Sequence, residues 1–144
     1  MTRREHQHLV VPAKVDQLHR IAQLASHAAA EVGFDHVQAD RIELAVDEAC
    51  SNIIEHAYGG QSGEIEIEIV PEHNHQITIV LTDTGKSFDP DSVPDYVPCK
   101  SIDELKIGGL GLHLIRQTMD NVCFEFNVPS EQGKFNRLTM VKKL

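Results

Sequence analysis

Long apolar runs are missing from this sequence, so no segment reaches the roughly 20 consecutive apolar residues that cross a bilayer. The first residues, Met-Thr-Arg-Arg-Glu-His, lack the apolar stretch of a secretory signal, and none is expected. Basic charge is also scarce: 13 Lys and Arg stand against 22 Asp and Glu, leaving a net charge of −9. The only basic neighbours are Arg3-Arg4 and Lys142-Lys143. A nucleic-acid surface rests on phosphate neutralisation, so this balance argues against one and leans toward basic partners. Cysteine is limited to Cys50, Cys99 and Cys123, an odd, widely spaced set with no Cys-x-x-Cys pair. Three reduced thiols in a cytoplasmic protein are therefore expected. There is no internal repeat and no low-complexity tract.

What remains is an ordinary globular composition, 41% hydrophobic and 24% charged, at a length that suits one domain over residues 1–144. His8 to Val11 predicts a short edge strand ended by Pro12. Val15, Leu18, Ala22, Ala25, Ala29 and Val32 recur at helical spacing, and Gly33 supplies a C-terminal cap. Asp35 or Asp40 can cap a second helix, which would stop at Gly59-Gly60. Glu64 to Val70 alternates strictly, placing Ile65, Ile67 and Ile69 on one face. Gln76 to Thr82 follows as the second, more central strand of a hairpin. From Asp83 to Gly109 no period holds, and Pro94 and Pro98 disfavour a helix. A helix is expected over Gly111 to Met119, then two strands, the first carrying Val122, Phe124, Phe126 and Val128 and the last Leu138 and Met140. The order is β-α-α-β-β-loop-α-β-β, an α+β fold of two layers: a mixed, mainly antiparallel sheet with helices on one face.

Three places in this order carry chemistry. In the second helix Ile42, Ala45, Val46, Ala49, Cys50 and Ile53 form an apolar stripe, and Glu48 and Asn52 share one face at its border. A carboxylate and a carboxamide there can serve a metal–phosphate centre as proton acceptor and neutral oxygen ligand; a solvated helix face would also account for them. Asp83-Thr84-Gly85 ends a central strand. It reads as a turn, or as a half-buried acceptor for an exocyclic amine beside a glycine that lets a flat ligand approach. Gly108-Gly109-Leu110-Gly111-Leu112 leads into a helix, the arrangement of an anion site or of a hinge. It lacks the lysine of a P-loop and the third glycine of a dinucleotide fingerprint.

Taken in order, Glu48 with Asn52, Asp83-x-Gly85-x-x-Phe88-Asp89, and Gly109-x-Gly111-Leu112 resemble the conserved boxes of the ATPase superfamily of DNA gyrase, sensor histidine kinases and mismatch-repair ATPases. Within it, Glu-Ala-Cys-Ser-Asn-Ile-Ile-Glu-His-Ala-Tyr, Phe-Asp-Pro and Gly-Leu-Gly-Leu-His-Leu-Ile-Arg-Gln-x-Met-Asp are similar to the short anti-sigma-factor serine kinases. The resemblance runs from about Leu9 to Leu144. It implies a histidine-kinase-like (Bergerat) sandwich that binds ATP and Mg²⁺. Asn52 would hold the metal, Glu48 would take the proton of the attacking hydroxyl, and Asp83 would read the adenine amine beside Gly85 and Phe88. Gly109, Leu110, Gly111 and Leu112 would wrap the phosphates, closing a lid of about 91–108.

The resemblance further implies a homodimer that phosphorylates a serine on an anti-sigma-factor antagonist and controls a sigma factor by partner switching. The alternative it leaves is a nucleotide-dependent sequestering regulator with little or no transfer activity. Two positions depart from the superfamily: Ser87 replaces a frequent second glycine, and Asn136 stands where relatives often place a threonine near the adenine. His56, one turn past Asn52, could face the same cleft or pack on Tyr58. The nine histidines, His6, His8, His73 and His75 among them, are scattered along the chain, and solvated surface is their expected place.

Overall fold

A computed structural model describes residues 6–87, 97–101 and 112–144. The strands are β1 (Gln7–Pro12), β2 (Glu64–Glu72), β3 (Gln76–Asp83), β4 (Val97–Lys100), β5 (Asn121–Ser130) and β6 (Gly133–Lys143). They form one sheet in the order β1-β2-β3-β6-β5-β4, and every described pairing is antiparallel. The helices are α1 (Val15–Val32), α2 (His36–Asn52) and α3 (His113–Thr118). Helices and sheet make the two-layer α+β fold expected from the sequence.

The alternation of β2 and β3 fixes which face of the sheet is covered. Ile65, Ile67, Ile69, Ile77, Ile79 and Leu81 are all buried, and they share that layer with Leu138 and Met140 of β6. The six apolar stripe residues of α2 lie against them, each 3% exposed or less. On α1 the buried stripe is Leu18, Ile21, Ala22, Ala25, Ala28, Ala29 and Val32; Val15, counted in the expected stripe, is exposed because it opens the helix above the core edge. The alanines let α1 and α2 approach each other and the sheet closely, which is how so aromatic-poor a chain packs a core.

Local chemistry sets the ends of these elements. Gly33 has φ 122° and takes its N–H back to the carbonyls of Ala29 and Ala30, ending α1. Asp35, of the two candidate caps, accepts from the Gln38 N–H at 2.8 Å and starts α2. Beyond Asn52 the helix does not run on in α geometry to Gly59-Gly60: Ile53–Ala57 form a π-helical turn, closed by Tyr58 N–H on the Ile53 carbonyl at 3.0 Å.

Two further features differ from the sequence expectations. The stretch taken as one long loop contains β4, a four-residue edge strand pairing with β5. Pro98, which lacks a backbone N–H, is compatible with an edge strand, where only one side is paired. That pairing also brings Cys99 to Cys123, Cα atoms 5.3 Å apart, and the two form a disulfide. The expectation of three reduced thiols is therefore wrong for two of them; only Cys50 is free, and it is buried.

Candidate functional site

The site lies where α2 gives way to the π turn, opposite the ends of β3 and β6. Asn52 and Asp83 line one narrow cavity with Leu112, which leads into α3, and Asn136 of β6. Its walls are mainly apolar, Ala49 and Ile53 from the helix end, Ile115 from α3, Phe124, Phe126 and Leu138 from the sheet, with Glu125 and Arg137 also lining it. The π turn matters to this placement, because the wider turn begins at the residue after Asn52, at the cavity edge.

Asp83 is 4% exposed and stands directly across the β3–β6 pair from Asn136, itself 3% exposed. Its Oδ1 accepts from the Gly85 N–H at 2.9 Å and from Asn136 Nδ2 at 3.0 Å. Burial pushes the Asp83 carboxyl up to about 6, against these two hydrogen bonds, which pull it down. Asn136 Nδ2 also donates to the Gly85 carbonyl at 3.0 Å, and its Oδ1 accepts the Asn127 N–H at 3.1 Å. Asn127 sits at φ 55°, within the register shift of β5 between Glu125 and Val128, so the irregular strand turns its N–H toward Asn136. Asn136 thus organises the pocket from below, a role its place in an alternating strand could not reveal.

Gly85 is required for a reason the sequence reading did not contain. A Cβ there would strike the carbonyl of Ala57 in the π turn, and the next residue, Lys86, donates its N–H to that same carbonyl at 2.7 Å. Tyr58 makes a second tie, donating to the Glu64 carbonyl at 2.6 Å and accepting the Thr84 N–H at 2.9 Å. The Asp83 turn and the end of α2 are therefore one unit.

Asn52 is 5% exposed, and its Nδ2 has no hydrogen-bond partner. A buried carboxamide left unpaired costs about 1–3 kcal/mol, the kind of deficit a bound ligand can remove. Glu48, one turn earlier on α2, is half-buried; its neighbour Ala49 is the residue of that turn that lines the cavity itself. Burial, with the negative charges of Glu55 and Asp47, raises the Glu48 carboxyl above its ordinary value.

The structure thus brings together Asn52, Asp83, Gly85 and Leu112, with Glu48 one turn away. Phe88, Gly109, Leu110 and Gly111, and the expected lid at 91–108 apart from residues 97–101, lie outside the described residues. His56 lines a separate surface hollow with Ala57 and Tyr58, its ring 3.8 Å from the Glu55 carboxylate. Sequence reasoning missed Ile115, Phe124, Phe126 and Leu138 as cavity walls. Their periodicity marked them as core, and periodicity cannot separate a core position from one bordering a cavity.

A narrow, mainly apolar cavity with the buried Asp83 carboxylate in its lining offers an acceptor to a group that donates a hydrogen bond. Residues 11–142 match the family model described as the histidine kinase-like ATPase domain. The chain is 31% identical to the serine-protein kinase RsbW of Bacillus pumilus (strain SAFR-032) over 124 residues, covering 81% of this chain and 76% of that protein. It is 32% identical over 117 residues to the serine-protein kinase RsbW of Bacillus subtilis (strain 168), covering 78% of this chain and 72% of that one. The protein of the same name from Bacillus thuringiensis (strain Al Hakam) is 32% identical over 126 residues, covering 85% and 78%. The chain belongs to the histidine-kinase-like ATPase domain family and, within it, to the anti-sigma-factor serine kinases.

Proposed function

We propose that this protein is an ATP-dependent protein-serine kinase that phosphorylates a small antagonist protein and, in the alternate partnership, holds a sigma factor. The observation that carries the reading is the meeting of Asn52 and Asp83 in one apolar cavity, with Glu48 one helical turn from Asn52. In this reading adenine enters beside Ile53 and the two phenylalanines as the cavity opens to receive it, and its amine donates to Asp83. Both hydrogen bonds to Asp83 fall on Oδ1, which leaves Oδ2 as the acceptor for the ligand.

The residues present also fit a magnesium ion at the phosphate end. Asn52 is a neutral oxygen ligand whose amide nitrogen is unpaired in the protein, so a ligand can set its orientation without breaking a bond. Magnesium, when bound, supplies charge neutralisation of the phosphates. Glu48 takes the proton of the serine hydroxyl, and its raised affinity for protons makes it a better base than an exposed glutamate. The resemblance assigns the phosphates to Gly109 and Gly111, which lie outside the described residues. Phosphoryl transfer asks mainly for positioning, which a helix, a strand end and a π turn tied together by Tyr58 and Lys86 provide. A homodimer in the cytoplasm completes the reading.

The experiment is transfer of labelled phosphate from ATP to a co-encoded antagonist, with Glu48→Gln beside the natural chain. Labelling that Glu48→Gln abolishes, with ATP and antagonist binding retained, supports the kinase. A natural chain that binds both partners but labels nothing is instead a nucleotide-dependent sequestering regulator.

A further inference from the structure

On the sheet face away from the helices, strands β1 and β2 gather side chains that the linear sequence keeps apart. Their register sets His8 across from Glu68 and Val10 across from Glu66. Side chains alternate along a strand, so His6 and His8 lean out on the same side as Glu66 and Glu68. Each imidazole reaches diagonally to the next carboxylate: His8 Nε2 lies 3.2 Å from Glu66 Oε2, and His6 Nε2 lies 3.2 Å from Glu68 Oε2. The donor atoms of His8, Glu66 and Glu68 all fall within 4.8 Å of one another, and His6 joins them through Glu68.

We propose that His8, Glu66 and Glu68, with His6 as fourth donor, form a zinc site on the outer face of β1 and β2. Two imidazoles and two carboxylates suit a four-coordinate borderline cation; magnesium and calcium prefer all-oxygen shells. A tetrahedral zinc with ligands at about 2.0–2.2 Å needs donors about 3.3 Å apart. Both histidine–glutamate pairs already meet that spacing. The remaining closure falls on the glutamate side chains, which are 43% and 38% exposed, and on His6, which lies outside the three-residue cluster and just before β1. For His8, Glu66 and Glu68 the backbone needs no movement, because β1 is zipped to β2 through six consecutive positions.

Charge favours occupancy. With neutral imidazoles the two carboxylates carry −2, on a chain of net charge −9, and a divalent ion cancels them. Bound zinc would clip the edge strand β1 to its neighbour and stabilise the N-terminal end of the fold by mass action. The site is independent of the nucleotide cleft, so its failure would leave the kinase reading untouched.

The test is calorimetric titration of the untagged, chelator-treated full chain with zinc chloride, without nucleotide. One ion per chain is expected, with His8→Ala and Glu66→Gln each weakening binding at least about tenfold, while His73→Ala leaves it unchanged. Cobalt in place of zinc should give the visible absorption of a four-coordinate nitrogen–oxygen site, without a thiolate charge-transfer band. Circular dichroism checks that these surface variants stay folded. No saturable heat up to millimolar zinc, or full-strength binding by the His8→Ala, Glu66→Gln double variant, overturns the proposal.

Discussion

Asn136 on β6 donates from Nδ2 to Asp83 on β3 at 3.0 Å, and the same nitrogen donates to the Gly85 carbonyl at equal distance. One buried carboxamide therefore sets the position of the carboxylate, the turn after it and, through Asn127, the irregular part of β5. Asn136→Ala would remove a donor from the Asp83 carboxylate and the Gly85 carbonyl, and an acceptor from the Asn127 N–H. A loss of about 2–3 kcal/mol of stability in urea unfolding is expected, with weaker ATP binding in calorimetry. Unchanged stability would mean that the network carries no net energy.

The pH dependence of Asp83 has a definite sign. Its carboxyl, pushed up to about 6 mainly by burial, holds a proton in the native state that the unfolded chain releases near 3.8. The stability tied to that proton is fully present below about pH 3.8 and is lost as pH rises through about 6. The natural chain should thus lose up to roughly 3 kcal/mol relative to Asp83→Asn between about pH 4 and pH 7. ATP affinity should move the other way, tightening as Asp83 ionises. Parallel stability profiles for the two proteins would contradict this.

Gly85→Ala tests the contact between the Asp83 turn and the π turn. The added methyl meets the Ala57 carbonyl, which also accepts from Lys86 at 2.7 Å. A loss of about 1–3 kcal/mol is expected, visible as a lower unfolding midpoint. Gly59→Ala provides the comparison: its φ is 58°, so it is strained, but a methyl there touches nothing within 4 Å.

The Cys99–Cys123 bridge, 24 residues apart in sequence, predicts a thiol count. Without reductant, the unfolded chain should titrate one thiol, Cys50. The native chain should titrate none, because Cys50 is buried and burial pushes its thiol up to about 12. Cys99→Ser should cost roughly 3–4 kcal/mol of stability by the chain-entropy estimate for a loop of this size. Three thiols on unfolding would remove the bridge from the structure.

Elements governed by local chemistry were legible before the structure. The α1 boundaries follow from apolar spacing and Gly33, and β2 from its isoleucine–glutamate alternation. Asn52 at the border of an apolar stripe and Asp83 at a strand end could be marked as candidates, and only the resemblance of the ordered boxes gave them roles. What depends on distant pairing was not legible. β4 has four residues with a proline and exists only because β5 lies beside it; the disulfide follows from the same pairing. The π turn shares its apolar pattern with an α-helix, since Ile53 and Ala57 are buried in either geometry. The resemblance put Asn136 near the adenine, but its hydrogen bonds to Asp83 and Gly85 were not legible until the register set it against Asp83.

Isothermal calorimetry with ATP and magnesium, on the natural chain and on Asp83→Asn, addresses the cleft itself. The expected result is saturable binding of one nucleotide per chain, lost or weakened more than about tenfold in Asp83→Asn, whose circular dichroism matches the natural chain. A natural chain that gives no heat with ATP, or an Asp83→Asn chain that binds it equally well, would show that the cavity between Asn52 and Asp83 is not where a nucleotide is held.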